Sequence, residues 1–309
     1  MISLIIRRIL SVIPVMLVIS MLTFALMHSI PGNPFDQKAD KPLDPATLQR
    51  LMEHYKLDDP IYKQYGRYMW DLLHGNLGPS YQFANRSVND MIAMGFPKSM
   101  ILGLLGLTIG VLVGIPLGVV SALKQNTAVD YFTMFFAVSG IALPSMTIAP
   151  LFIWIFALKL GWLPVARWGT IQQAIMPVII LSIGPAAGLA RLTRGSMLQV
   201  IREDYIRTAR AKGVPEHLIT IKHALRNALV PVVTVLGPMF AGAVTGSLVI
   251  EQIFAIPGMG QNFVRAVSVR DYPVIMGMTL LYASLLVVSN LIVDITYSWI
   301  DPRIRVEQR

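Results

Sequence analysis

An all-α polytopic membrane protein, with six transmembrane helices and both termini in the cytoplasm, is the fold class this sequence predicts. Three observations point to it. Of the 309 residues 54% are hydrophobic and only 14% are charged, against roughly 25% charged in an average soluble domain. The mean hydropathy of +0.60 implies more apolar side chain than one water-facing core can hide. Six stretches free of Asp, Glu, Lys and Arg are also long enough to cross a hydrocarbon layer about 30 Å thick, which takes about 20 helical residues.

Those stretches are 9–30, 99–123, 131–158, 168–190, 227–250 and 272–293. The first follows Arg7 and Arg8, as a secretory signal would. Its 22 residues outrun a signal's apolar core and no small-x-small cleavage site closes it, so it reads as a retained anchor helix. Orientation comes from Lys and Arg. With the N-terminus inside, the inner segments 1–8, 124–130, 191–226 and 294–309 carry two, one, eight and three, whereas the short outer loops 159–167 and 251–271 carry two each. The positive-inside preference therefore places both termini in the cytoplasm. Segment 31–98, with eight bases balanced by eight acids, is too long to vote. The same distribution explains the net charge of +9 without nucleic acid, because the excess sits in inner loops rather than along a stripe suited to a duplex. The chain divides into 1–94, holding the anchor helix and an extracytoplasmic helical segment; 95–296, holding the other five spans and the loop 191–226; and a cytoplasmic tail, 297–309.

Prolines fall inside most spans (Pro14, Pro116, Pro144, Pro150, Pro177, Pro185, Pro231, Pro238), where neighbouring helices can satisfy the freed carbonyls. They read either as kinks around a cavity or as kinks that aid packing. Span two carries Gly106, Gly110, Gly114 and Gly118 at four-residue spacing, a face on which another backbone can approach closely. Gly242 and Gly246 repeat the pattern in span five.

Outside the spans, Asp44-Pro45 marks a helix start, and Leu48, Leu51, Met52 and Tyr55 share one face. A second helix carries Tyr62, Tyr65, Tyr68, Met69, Trp70, Leu72 and Leu73, with Gly75 as its stop. Such a cap receives an external partner or shields helix ends. In the loop 191–226, Asp204 caps a helix Tyr205 to Lys212 that ends at Gly213, and Pro215 with Glu216 opens another. Small Ala209 and Ala211, apolar Val214 and Leu218 and charged Arg207, Arg210 and Lys212 suit a groove on another protein or, equally, a membrane surface.

Much chemistry is excluded. With no cysteine there is no disulfide, iron-sulfur or thiolate-zinc site, and His28, His54, His74, His217 and His223 lack ligand spacing, so no metal site is expected. There is no phosphate-binding G-x-x-x-x-G-K-[ST], no H-E-x-x-H and no G-x-S-x-G; the chain is expected to have no catalytic residue and not to be an enzyme. An ion-coupled carrier keeps titratable groups within its spans, whereas here only Glu251 and Asp294 stand at their borders.

The run Tyr205-Ile-Arg-Thr-Ala-Arg-Ala-Lys-Gly213, continued by His223-Ala-Leu-Arg-Asn-Ala-Leu-Val-Pro231, resembles the EAA loop of ABC-importer permeases, in its peptide-importer branch. Further matching runs are Asp58-Asp-Pro60, Phe96-Pro97, Ala122-Leu-Lys-Gln-Asn-Thr127, Arg194-Gly-Ser-Met197, Gly246-Ser-Leu-Val-Ile-Glu251, Pro257-Gly-Met-Gly-Gln261, Arg270-Asp-Tyr272 and Ile300-Asp-Pro302. The chain is similar to the B-type membrane subunit of oligopeptide permeases. The resemblance implies a type I ABC importer permease fold over 95–296 and a coupling helix formed by Tyr205, Arg207, Thr208, Ala209, Arg210, Ala211, Lys212, Gly213 and Val214. Arg207 stands where the general EAA pattern has its glutamate, and Pro231 lies farther from Gly213 than the broad consensus puts it, so Ala209 and Gly213 carry over while a glutamate contact does not.

The same resemblance implies uptake of oligopeptides or dipeptides across a bacterial inner membrane by a heteromeric importer. Its other parts are a second homologous permease, one or two cytoplasmic ATPases that bind ATP and Mg, and an extracytoplasmic peptide-binding protein docking on 31–98; this chain binds no cofactor itself and touches membrane lipid. For the pathway, Ser139, Pro144 and Ser145 in span three and Met239, Thr245 and Ser247 in span five are the candidates, each equally suited to interhelical packing. Alternatives are a stand-alone secondary carrier or channel, and an importer permease for nickel chelate or glutathione.

Overall fold

The computed structural model describes residues 2–29, 32, 34, 35, 44–83 and 85–300, without the side chains of 2–9 and 293–300. The side chains of Arg7, Arg8 and Asp294, the Asp301-Pro302 end of the last matching run and residues 301–309 of the expected tail fall outside that description. The described residues are mostly helical and form no strand, only an isolated bridge between Pro79 and Ser87. Five of the helices are long and apolar enough to cross a membrane, and a bent pair makes a sixth crossing if it counts as one span.

The chain forms two compact units. The first comprises Met1–Ser99 and Pro257–Val288. It contains α1 (Ile2–Ser29), α2 (Pro45–His54), α3 (Ile61–Leu73), the start of α4 (Val88–Leu123), α13 (Met259–Ser268) and most of α14 (Tyr272–Ile300). Asp44 precedes α2 as expected, and α3 ends just before Gly75, whose φ of +74° suits glycine. Met27 of α1 is buried with Tyr272, Met276 and Leu280 of α14, and Tyr68 and Leu72 of α3 pack against this cluster.

A second cluster joins Val88 and Met91 of α4 to Ala266 of α13 and to Val274 and Met278 of α14. Asp271, fully buried just before α14, accepts hydrogen bonds from the Ser80 hydroxyl and from the backbone N–H groups of Tyr81 (3.1 Å) and Gln82 (3.3 Å). A buried carboxylate needs such donors in place of water.

The second unit, Met100–Ile256 with Ser289–Arg309, is organised around α7 (Ile171–Val200), whose start is closed by a reciprocal capping box between Thr170 and Gln173. The glycine row of α4 lies against it. A Cβ would come within 2.9 Å of Leu181 at Gly106, 2.7 Å of Pro185 at Gly110, 2.5 Å of the Ala186 carbonyl at Gly114 and 2.5 Å of the Ala190 carbonyl at Gly118. The row is thus a close-packing seam, as expected. Gly242 behaves otherwise: open space surrounds it, and the close approach in that region is Gly103 against the Ala243 backbone.

The third expected span is not one helix. It divides into α5 (Ala128–Ala142) and α6 (Ser145–Phe152), the latter continuing as a π-helix over Ile153–Lys159, and the two arms meet at 106°. The cause is local: Leu143 precedes a proline and is pushed to φ −87°, ψ 118°, outside the helical region. The fifth is divided too, into α10 (Leu225–Ala228), α11 (Val230–Thr245) and α12 (Leu248–Ile253). Gly246 breaks the last pair at φ +78°, ψ −174°, open only to glycine, and Ser247 then accepts the Ile250 N–H to cap α12.

Replacing Gly114 by Ala is expected to cost about 1–3 kcal/mol through overpacking, whereas Gly195→Ala on α7, which meets nothing within 4 Å, should hold or gain stability. Thermal unfolding of the two variants in mild detergent checks this; equal midpoints would deny the seam.

Candidate functional site

α7 runs on past the expected end of its span at residue 190 to Val200, and a three-residue turn leads into α8 (Asp204–Ala211). Glu203, not Asp204, occupies the N-cap position, and neither side chain makes a capping hydrogen bond; Asp204 instead begins the helix, 3.5 Å from Arg207. Lys212 ends the helix and Gly213 turns the chain at φ +75°, the left-handed conformation that favours glycine. α9 (Glu216–Leu218), a π-helical turn over Ile219–Ala224, and α10 complete a hairpin.

One face of that hairpin belongs to the chain's own core. Ile206 and Ala209 are buried with Met197, Ile219, Ala224, Ala228 and Ala122, and Val214 packs against them. Tyr205 fastens the other arm: Asn227 donates to its hydroxyl at 2.7 Å. Across the turn, Arg210 donates to Glu216 at 2.6 Å. The opposite face shows Arg207, Thr208, Ala211, Lys212 and Gly213 to solvent. Of the nine expected coupling residues, Ala209 therefore shapes the hairpin from inside, while the exposed ones are free to meet another surface.

A polar junction that sequence reading did not single out lies just before the hairpin. Arg194 of α7 donates to both oxygens of Asp130, Nε at 2.6 Å and Nη2 at 2.7 Å. Ser121 of α4 donates to the same carboxylate at 2.5 Å and the Asn126 N–H at 3.0 Å. Asp130 is 2% exposed, and these four donors satisfy it in place of water. The junction binds the ends of three helices, α4, α5 and α7. Asp130 escaped notice because it lies one residue outside a charge-free stretch, and its partner is 64 residues away.

Four of the six expected pathway residues line two cavities beside α7. One, of about 280 Å³, is lined by Pro144, Ser145 and Leu143 at the α5–α6 break and by Ile180, Ile183 and Gly184 of α7. The other, of about 200 Å³, is lined by Met239, Gly246 and Ser247 at the α11–α12 break, Gly103 and Leu107 of α4, and Leu181 and Pro185 of α7. Ser139 and Thr245 line neither; the Thr245 hydroxyl donates back to the Gly242 carbonyl. Glu251, at the border of the fifth span, is wholly buried in α12. Among the described residues no cluster of His, Asp and Glu could hold a metal ion.

A polytopic helical membrane protein, with unbroken span-length helices beside spans that are divided, is the class this architecture defines. The chain belongs to the family of binding-protein-dependent transport system inner membrane components, whose model matches residues 114–306, and the corresponding N-terminal model matches residues 1–102. It is 43% identical to the oligopeptide transport system permease protein OppB of Haemophilus influenzae, over 99% of this chain and 100% of that one. It is 45% identical to the dipeptide transport system permease protein DppB of Bacillus subtilis, over 98% of each. OppB of Escherichia coli K12 is 43% identical, over 99% and 100%. Among solved structures, a chain of the inward-facing MetNI methionine ABC transporter superposes with a TM-score of 0.52 at 17% identity, covering 66% of this chain and 95% of that chain. A crystal structure of an amino acid ABC transporter with histidines gives 0.54 at 17% identity, covering 68% and 94%. At such identities the likeness is one of fold.

Arg194→Met would leave the Asp130 carboxylate buried without its ion partner. About 3 kcal/mol of stability should be lost, the low end for such a change, because 24% of the Arg194 side chain is exposed. Arg194→Lys should fall between, keeping the charge but not the two-pronged geometry. Unfolding midpoints in detergent measure the order; a Met variant as stable as the parent would contradict it.

Proposed function

We propose that this chain is the B-type permease subunit of an ATP-driven importer that takes up oligopeptides or dipeptides across a bacterial inner membrane. It lines the pathway with a second, homologous permease and is moved by one or two cytoplasmic ATPases, which bind ATP and Mg. An extracytoplasmic protein delivers the peptide. The observation that carries the reading is the near full-length similarity to oligopeptide and dipeptide permeases, and the exposed hairpin supplies what a motorless subunit needs. Six spans, cytoplasmic termini and the division into 1–94, 95–296 and 297–309 belong to the same proposal.

The work reaches the pathway through α8. Its exposed face, Arg207, Thr208, Ala211 and Lys212, seats in a groove of the ATPase, while Ile206 and Ala209 on its buried face bind the hairpin to α7 and α10. Motion of the groove is thereby delivered to α7. The two cavities flank α7 at Ile180–Pro185, so a shift of that helix alters both together. Ser145, Met239 and Ser247, with Pro144 at the bend, are the residues we assign to the pathway; Ser139 and Thr245 have less support there. Reversing a two-state population needs about 5 kcal/mol of differential affinity, which a soft hairpin would dissipate. The buried face, the Tyr205–Asn227 bond and the Arg210–Glu216 pair stiffen it.

Two measurements test the reading. Affinity purification of the tagged chain in mild detergent should bring a second permease and ATPases with it; peptide transport by the purified chain alone would overturn the proposal. Gly213→Val meets no neighbour within 4 Å, so its effect is confined to a backbone held at φ +75°. A left-handed non-glycine residue costs about 1–2 kcal/mol, roughly a factor of 5–30 in population. Uptake should fall by about that factor with membrane insertion intact and ATP hydrolysis continuing. Normal uptake would remove Gly213 from the coupling path.

A further inference from the structure

The segment 31–98 is expected to stand clear of the bilayer, yet α3 packs against α1, a helix apolar enough to cross it. The Tyr65 hydroxyl is 2.8 Å from the Ser20 hydroxyl, and the Tyr65 ring meets the Phe24 ring edge-on at 5.3 Å. Ser20 lies in the middle of the apolar stretch Leu10–Ser29 of α1. At 1.5 Å per residue it is about 14 Å below the end of that stretch, near the centre of a hydrocarbon layer about 30 Å thick. Even allowing for the length of a tyrosine side chain, the backbone of α3 runs beside the membrane-crossing part of α1. Met276 and Leu280 of α14 share the cluster that receives Tyr68 and Leu72, so a second spanning helix puts α3 at the same depth.

At about 100° per residue, α3 has three sides. Tyr65, Tyr68 and Leu72 face α1 and α14. Lys63, Arg67 and Asp71 form a polar side, with Arg67 paired to Asp59. The third side carries Tyr62, Gly66, Met69 and Leu73, with Trp70 on its border with the polar side. The described residues leave most of it uncovered: Tyr62 is 72%, Trp70 65% and Leu73 78% exposed, a Cβ on Gly66 would meet nothing within 4 Å, and Met69 is half-buried. Leu22 and Leu26 of α1, the helix beside it, are exposed apolar residues as well.

We propose that α3 is an interfacial helix seated in the leaflet where α1 ends, with Tyr62, Met69 and Leu73 among the acyl chains, Trp70 at the headgroup boundary, and Lys63 and Arg67 toward the phosphates. The occupant of the exposed side is phospholipid. Aromatic residues concentrate at this level of a bilayer, and cationic side chains beside them reach headgroups. Neither the peptide substrate nor the coupling hairpin enters the inference, so it stands or falls separately from the proposed transport activity.

The absence of cysteine makes the test direct. Single variants Tyr62→Cys, Lys63→Cys, Trp70→Cys and Leu73→Cys, in the assembled transporter with accessible partner cysteines replaced, are spin-labelled and reconstituted in phospholipid nanodiscs. Each variant is first matched to the cysteine-free parent by its yield in the membrane and its unfolding midpoint in detergent, and a position where cysteine fails that match is read through neighbours on the same side of the helix, Gly66→Cys and Met69→Cys. Collision with oxygen, which concentrates in hydrocarbon, is compared with collision with a water-soluble nickel chelate. The oxygen-to-nickel ratio should be several-fold higher at 62 and 73 than at 63, with 70 between. A high nickel signal at 62 and 73 would place the face in water, and low accessibility to both probes would place it under another protein; either result overturns the proposal.

Discussion

Helices surrounded by lipid gain little by hiding apolar side chains from one another, because the acyl chains are as apolar as leucine. What holds such helices is close backbone approach and the few polar groups that cannot face hydrocarbon. Both constraints meet on α7. Four glycines of α4 remove the side chains that would keep the two backbones apart. One carboxylate, Asp130, then draws α4, α5 and α7 together where the glycine row ends. Without the row α4 could not lie against α7. The ion pair fixes the start of α5 against α7, and farther along Ala137 and Gly140 bring the two helices into close contact.

This arrangement concentrates several functions on one helix. α7 carries two internal prolines without breaking, borders both cavities, and runs directly into the turn that bears the hairpin. Two of its neighbours do the opposite. α5–α6 bends where a proline evicts the preceding residue from the helical region, and α11–α12 parts at a glycine. An unbroken helix and broken partners together leave room beside Ile180–Pro185, and non-helical backbone is tolerated at membrane depth where it lines such a cavity or is buried in protein.

Much of this was legible beforehand, and the reasons differ by element. The apolar stretches stand out because charge is too costly in hydrocarbon to be placed by accident. The turn at Gly213 and the helix opened by Pro215 and Glu216 were visible because caps and breakers act within a few residues. The same local chemistry marked Pro144, but a kink was expected where the chain turns through 106°; how far a helix swings after a proline depends on what receives it. The extents of α4 and α7 were underestimated because a charge test locates the hydrocarbon-crossing part of a helix, and both continue beyond it. Asp204 looked like a cap by residue type, yet the backbone enters the helix one residue sooner.

By itself, then, the sequence determined what is local or compositional: which stretches suit lipid, where helices start and stop, that no metal-ligand or nucleotide-binding motif is carried, and which loop resembles a coupling helix. Only the tertiary structure decided which residues meet. Asp130 and Arg194, Ser80 and Asp271, and Tyr65 and Ser20 are far apart along the chain, and each pairing depends on the packing of several helices at once. Side-chain periodicity marks an apolar face but not its neighbour. That is why Ala209 proved to look inward, why Ser145 and Ser247 line cavities while Ser139 does not, and why α3 lies beside the membrane-crossing part of α1.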